Sequence, residues 1–370
     1  MFERRLYFHV DWLLLGAVLV IVGIGLAMIY STTYVRLPDG TGRPGREFLT
    51  QMYALGLGGI ALVVCLMIDY RKLAEHSLFL FAALVALLIF VLVSGDSAGG
   101  AQRWIDVGGR FKIQPSEFAR VTLALVLAMY FGENRRGART PIDILVGCLF
   151  AVVPLLLIAK QPDLGTAVTL IPVGFGIAYL AGLRLRLIGI ALAVAVLLAP
   201  IAWNFALKEY QKSRIIIFLD PEQDPRGAGY QPIQARVSVG SGGLLGKGFM
   251  KGTQGQYKFL PVAHNDFIFS VLAEEHGFLG VLAALGLYLF VILRSIEAAR
   301  MAKDRIGAYL VGGLICGFAF QVIYNITMSA GLAPVKGLTL PLMSYGGSSM
   351  IATLAAFGLI LNVRMRRFTN

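Results

Sequence analysis

The sequence predicts an all-α polytopic membrane protein of about ten transmembrane helices, with both termini cytoplasmic and one long extracytoplasmic loop. Three observations predict it. Of 370 residues, 57% are hydrophobic and only 15% charged, where a soluble chain carries about a quarter charged residues. Apolar runs recur from end to end at roughly the twenty-residue length that crosses hydrocarbon. The basic residues fall unevenly across the segments between those runs, and this asymmetry sets orientation.

Taken in order, the first run, Trp12 to Tyr30, is uncharged and follows Arg4 and Arg5. It exceeds the apolar core of about 7–15 residues in a cleaved signal peptide, so it reads as a signal anchor. Further spans are expected at 50–68, 77–94, 117–132, 142–158, 165–183, 187–207, 267–293, 306–330 and 346–363. The fourth and fifth are short for a perpendicular crossing. Ten spans return both termini to one side. With that side cytoplasmic, the inner segments hold sixteen Lys and Arg, and the short outer loops hold eight. That is the positive-inside pattern.

Another eight basic residues lie in 208–266, the one large extramembrane piece, against five acidic ones, a net of +3. It contains a DPEQDP turn signal at Asp220–Pro225 and suits an anionic headgroup or a pyrophosphate. No repeat and no appended soluble domain is evident, so residues 1–370 read as one membrane domain. The formal net charge of +12 serves orientation, and no nucleic-acid partner is expected. Cys65, Cys148 and Cys316 each sit in an apolar run and read as small core residues. Four scattered histidines argue against a histidine-ligated zinc site.

Charged side chains at the outer boundary are where chemistry is sought. Residues 99–120 carry Arg103, Trp104, Lys112, Gln114, Glu117 and Arg120. Pro115 suits a first helical turn, and Ser116 or Gln114 could cap it. Glu117 and Arg120, three apart, can pair locally; Trp104 reads as an interfacial anchor. Residues 160–167 bring Gln161 and put Asp163 in a first turn, where the macrodipole favours an acid.

The third cluster follows a glycine-rich loop bearing Lys247 and Lys258, and runs from Asp266 to Glu274 and Glu275. Asp266, Ser270 and Glu274 share a face at four-residue spacing, and the glutamates lie about 12 Å further along a helix. At such depth they face a partner or a wet cavity. Asp266 reads either as a helix cap or as a catalytic acid or base. The fourth cluster, Ser344, Tyr345 and Ser348 with two glycines, opens the last span. Converging acids and bases of this kind would suit a charged, lipid-linked substrate; the residues alone do not name the reaction.

Five blocks carry a resemblance: GAQRWIDVG with QPSEFAR, QPDLGTA, LDPEQDPRGAGYQPIQARVSVGSGGLLGKG, GTQGQYKFLPVAHNDFIFSVLAEEHG and LPLMSYGGSSM. In them the whole chain resembles the SEDS family of shape, elongation, division and sporulation proteins. The resemblance implies a ten-span peptidoglycan glycosyltransferase in the bacterial cytoplasmic (inner) membrane. It would polymerise lipid II on the outer face during elongation, by an inverting displacement.

The resemblance also places the family's essential aspartate on Asp266, as general base, its QPSE glutamate on Glu117 and its QPD aspartate on Asp163. Substrate binding is expected from Glu117, Arg120, Asp163, Arg103, Lys112, Gln114, Gln161, Lys247, Lys258, Ser344, Tyr345 and Ser348. Two departures stand out: Arg120 where relatives carry lysine, and Asn265 where they carry threonine. Arginine keeps charge and binds phosphate, but does not serve where a proton must be lost. The chemistry leaves room for a divalent cation, Mg2+ or Mn2+, with ligands unassigned. Implied partners are a class B penicillin-binding protein and other membrane proteins of the elongation machinery. The rival readings are a lipid II flippase, for which polytopic topology and intramembrane acids serve equally well, and a non-catalytic scaffold.

Overall fold

In the computed structural model, residues 9–36, 42–98, 101–107, 111–133, 141–184, 209–257, 259–261 and 263–368 are described, with scattered positions between 186 and 205. The expected span 187–207 therefore lies mostly outside the described residues, as do Arg4 and Arg5. The other nine expected spans are helices.

The first half is built from α1 (Trp12–Thr33), α2 (Arg46–Met67), a single-turn α3 (Tyr70–Glu75), α4 (Ser77–Ser94), α5 (Ala119–Glu133), α6 (Pro141–Lys160) and α7 (Leu164–Leu180). The 208–266 segment contributes α8 (Glu209–Leu219), α9 (Tyr230–Ser241) and a short α10 (Thr253–Gln256). The chain ends in α11 (Ile268–Arg300), α12 (Arg305–Ser329) and α13 (Gly347–Met365).

Seven of these helices are long and apolar enough to cross a membrane. The expectation of a short fourth span holds, since α5 has 15 residues. The fifth is not short: α6 takes in Pro141 and Lys160 at its ends and reaches 20 residues. The shorter helix is instead α7, at 17.

The protein is predominantly helical, with a strand feature that hydropathy did not signal. Residues 96–98, 101–107 and 111–113 form an antiparallel three-stranded sheet, β3–β4–β5, after a minimal ladder β1–β2 at 35–36 and 42–43. In the sequence, the strand AQRWIDV is flanked by a glycine pair on each side. It carries Arg103 and Trp104 over the outer end of the helices.

The 33-residue α11 would be about 50 Å long, well beyond the ~30 Å of hydrocarbon. It divides at Gly277, whose φ of 63° breaks the helical path. A Cβ there would meet Gly246 N at 2.3 Å, so the 242–248 loop docks against bare backbone. The outer piece, 268–275, is buried in protein throughout; the membrane span lies beyond the break.

Helix α13 is almost wholly buried and packs along α2. Gly358 permits the approach, since a Cβ would lie 2.6 Å from the Leu62 carbonyl. At the opposite end from the sheet, buried Asp11 accepts from Leu14 N at the start of α1. Its carboxylate also ties Arg294 at 2.9 Å and Arg364 at 2.7 Å, fastening α1, α11 and α13 together.

Candidate active site

The outer ends of α2, α7, α11 and α13, the β3–β5 sheet and the 331–340 loop surround a cavity of about 690 Å³. Its charged lining is Arg46, Arg103, Lys112, Arg214 and Lys336, five basic groups, against Glu47, Glu117, Asp163 and Asp266, four acidic ones. Trp104, Gln114, Tyr345 and Ser348 complete the face where a substrate would lie.

Asp266 stands two residues before the first residue of α11. The N-cap position is Phe267, with no side-chain cap, so Asp266 does not cap. Its carboxylate has no hydrogen-bond or ion-pair partner among the described residues. Its backbone carbonyl, in contrast, is held by Asn325 Nδ2 at 2.9 Å. Burial raises the carboxyl pKa from the ordinary 3.8 to about 6; Arg103 and Arg214 pull it down and Asp163 pushes it up. A half-buried acid poised near neutrality and open to a basic cavity is equipped to take a proton.

Asp163 has the role that spacing left open for Asp266. It caps α7, accepting from Thr166 N at 3.2 Å. It also accepts from Gln114 Nε2 at 2.7 Å, and Arg103 Nη1 lies 3.5 Å away. These bonds fix the direction of the carboxylate. Gln114 does not cap the Pro115–Phe118 turn as expected, since its side chain reaches to Ser116 and Asp163.

Glu117 pairs with Arg120 at 2.8 Å, as the three-residue spacing allowed. Glu117 faces the cavity while Arg120 lies behind it, outside the lining, hydrogen-bonded to Gln321 Oε1. Arg120 is therefore a support for the site rather than a substrate contact.

Four further expectations are corrected. Gln161 is buried and donates to the Leu88 carbonyl at 2.9 Å, away from the cavity. Lys247 is committed to Glu274 at 2.7 Å, where Thr253 N and Oγ1 also donate, so this pair staples the glycine-rich loop to α11. Glu274 thus finds its partner, but it shares no helical face with Asp266, which lies outside α11. Glu275 accepts from Ser31 of α1 at 2.5 Å. The Ser344 hydroxyl accepts from Leu340 N at 2.8 Å and shapes the backbone. Lys258 lies outside the described residues.

Tyr345 and Ser348 do line the cavity. The Tyr345 amide donates to the His264 carbonyl at 2.9 Å, which ties the last-span motif to the segment bearing Asp266. Ser348 Oγ accepts from Gln114 N at 2.9 Å.

Sequence reasoning missed Arg46, Arg214 and Lys336, each counted only as a loop charge. It also read Trp104 as an anchor although it lines the cavity. Gln321 and Asn325 were passed over inside an apolar span. Four residues apart on α12 and both buried, they hold the cavity floor from below. Gln321 Nε2 donates to Thr339 O at 3.0 Å, and Asn325 Nδ2 to Leu338 O at 2.6 Å. Two amides in an otherwise apolar helix were the available signal.

The chain matches the FtsW/RodA/SpoVE family, described as cell cycle proteins, over residues 11–368. It is 38% identical over 340 residues to the peptidoglycan glycosyltransferase MrdB of Escherichia coli K12, covering 92% of this chain and 91% of that one. It is 31% identical to the peptidoglycan glycosyltransferase RodA of Treponema pallidum, over 96% and 98% of the two chains. The rod shape determining protein RodA of Thermus thermophilus superposes with a TM-score of 0.72 at 31% identity, over 98% of each chain. A chain from a solved structure concerned with the structural coordination of polymerization and crosslinking by a peptidoglycan synthase complex superposes with a TM-score of 0.83. Its identity is 34%, over 98% of this chain and 99% of that one.

Proposed function

The chain belongs to the FtsW/RodA/SpoVE family of cell cycle proteins, and from that premise we propose that Asp266 is the general base with which it builds glycan strands. The protein is a multi-pass membrane enzyme, a peptidoglycan glycosyltransferase. Its substrate is lipid II, met on the outer face of the bacterial cytoplasmic membrane. One observation carries the assignment of the base: the Asp266 carboxylate has no hydrogen-bond or ion-pair partner among the described residues and burial raises its pKa to about 6, whereas Glu117 is paired and Asp163 is capped and bonded.

The acceptor sugar hydroxyl lies against Asp266, which removes its proton as the oxygen attacks the anomeric carbon of the donor. The bond from that carbon to the lipid pyrophosphate breaks, and its electron pair leaves with the phosphate oxygen. Arg103, Lys112, Arg214 and Lys336 are the cations in position to receive that charge. A single displacement inverts the anomeric centre, and no covalent enzyme intermediate is needed. Asp163 holds Arg103 towards the cavity, and Glu117 is braced by Arg120.

The expected Mg2+ or Mn2+ finds no protein-built cage: among the described residues no three Asp, Glu, His or Cys side chains cluster for a metal. A divalent cation here would need the substrate's phosphate oxygens as ligands, and every step above is carried by the chain's own residues. The family's synthase-complex relative supports a crosslinking partner, which we assign to a class B penicillin-binding protein.

Proteoliposomes holding the purified chain and lipid II test the reading. Glycan chains are expected. Translocated lipid II without polymer would make the protein a transporter, and neither product would make it a scaffold.

A further inference from the structure

A second cavity, of about 350 Å³, opens beside the first, roofed by α8 and α9 and floored by the 331–335 loop. Three arginines line it, Arg214, Arg226 and Arg236, and no acidic side chain does. Arg214, Gln231 and Val335 line both chambers, so the two share a wall.

All three arginines are exposed to solvent, so an anion can reach them, and one is anchored. Arg236 Nη2 donates to the Gly331 carbonyl at 2.9 Å, which fixes the guanidinium in place. Gly331 has a φ of 76°, and a Cβ there would meet Arg236 Nε at 1.9 Å, so only glycine admits the arginine over the backbone. The nearest acid in sequence, Asp224, does not itself line the chamber; its carboxylate accepts from Gly227 N and Ala228 N of the chamber wall at 3.0 and 2.9 Å. Arg214 and Arg226 have no acidic partner among the described residues. Three exposed guanidiniums around one cavity, none of them ion-paired among the described residues, make a positive patch that an anion with several acceptor oxygens can bridge.

We propose that this outer chamber is a second diphosphate site, distinct from the cluster of Arg103, Lys112 and Lys336 around Asp266. The inference rests on the glycosyltransferase reading for its biological sense. Polymerisation brings together two lipid-linked sugars, and each carries a diphosphate that must be neutralised near the membrane. The main cavity holds one beside the base. The outer chamber holds the other, with Arg214 between them.

The test is equilibrium binding of labelled inorganic pyrophosphate to the full chain in nanodiscs, a measurement that does not depend on turnover. Wild type should bind two equivalents. Arg226→Glu should lose one, with the lost site weakened by about ten- to a hundredfold or more and the melting temperature unchanged. Lys112→Glu should lose the other. One equivalent in wild type, or two in Arg226→Glu, overturns the proposal. Competition with farnesyl pyrophosphate identifies the source: displacement from the outer chamber assigns it to a lipid-linked diphosphate, and no displacement to a free one. Failure of the base assignment would appear as polymerisation by an Asp266 variant and would leave these stoichiometries untouched.

Discussion

The electrostatic setting of Asp266 predicts how the rate depends on pH. Its carboxyl is raised from 3.8 to about 6, which corresponds to about 3 kcal/mol of disfavoured charge. A general base works only when deprotonated, so kcat/KM for glycan formation should be half-maximal near pH 6. Below that, each pH unit should cost about a tenfold loss of rate. Arg214 and Arg103 are the groups that hold the value down. Arg214→Gln removes one of them while leaving Arg103 with Asp163, so the midpoint should move to higher pH and the acid limb keep its slope. The assay is initial-rate polymerisation of labelled lipid II between pH 5 and 9, in saturating detergent and at fixed ionic strength. A wild-type midpoint near 4, or one that Arg214→Gln leaves in place, would refute the reasoning that burial and these arginines set the base.

Two further substitutions probe the support beneath the cavity. Asn325 is fully buried and holds the carbonyls of Asp266 and Leu338. Asn325→Leu leaves both unpaired, at about 1–3 kcal/mol each, and should lower kcat more than KM, because the base loses its placement. A wild-type kcat in that variant would show the anchor to be dispensable. Exchanging Glu117 and Arg120 keeps the ion pair but sets a carboxylate against Gln321 Oε1 and a cation in the cavity. The exchanged protein should fold, lose about 1.5–3 kcal/mol of stability and make no glycan, whereas normal polymerisation would reduce the pair to a local brace.

Most of the helical frame was legible because hydropathy reports burial in lipid directly. The nine described spans follow apolar runs, and Asp11 and Asp304 sit where capping would start a helix. What escaped was tertiary. Gly277 looked like an ordinary helix end, yet its positive φ splits α11 and moves Glu274 and Glu275 out of the span, against α1 and the glycine-rich loop. The AQRWIDV strand was hidden because a short hairpin over a cavity needs no apolar face. Among site residues, Asp266, Glu117, Asp163, Arg103, Lys112, Gln114, Tyr345 and Ser348 were legible, since several polar groups at one boundary tend to converge. Lys247 and Ser344 misled, because a motif position does not say whether a side chain faces substrate or backbone. Arg214 comes from a helix far along the chain, and no local pattern placed it beside Asp266.

Replacement of Asp266 by asparagine tests the central claim most directly. Asparagine is nearly isosteric and keeps the backbone contact to Asn325, but it cannot take a proton. Loss of a positioned base costs about a hundred- to ten-thousandfold in rate. Stability moves the other way. With the folded pKa raised from 3.8 to about 6, the acid's relative stability is greatest below 3.8 and is lost as pH rises through 6. Asp266→Asn should therefore melt at or above the wild-type temperature at pH 8. The measurement is glycan chain length by gel, from the purified chain with the proposed crosslinking partner and with crosslinking blocked by a β-lactam. The account predicts a stable, partner-binding protein that makes almost no polymer. Polymer at the wild-type rate would contradict it and pass the role of base to Glu117 or Asp163.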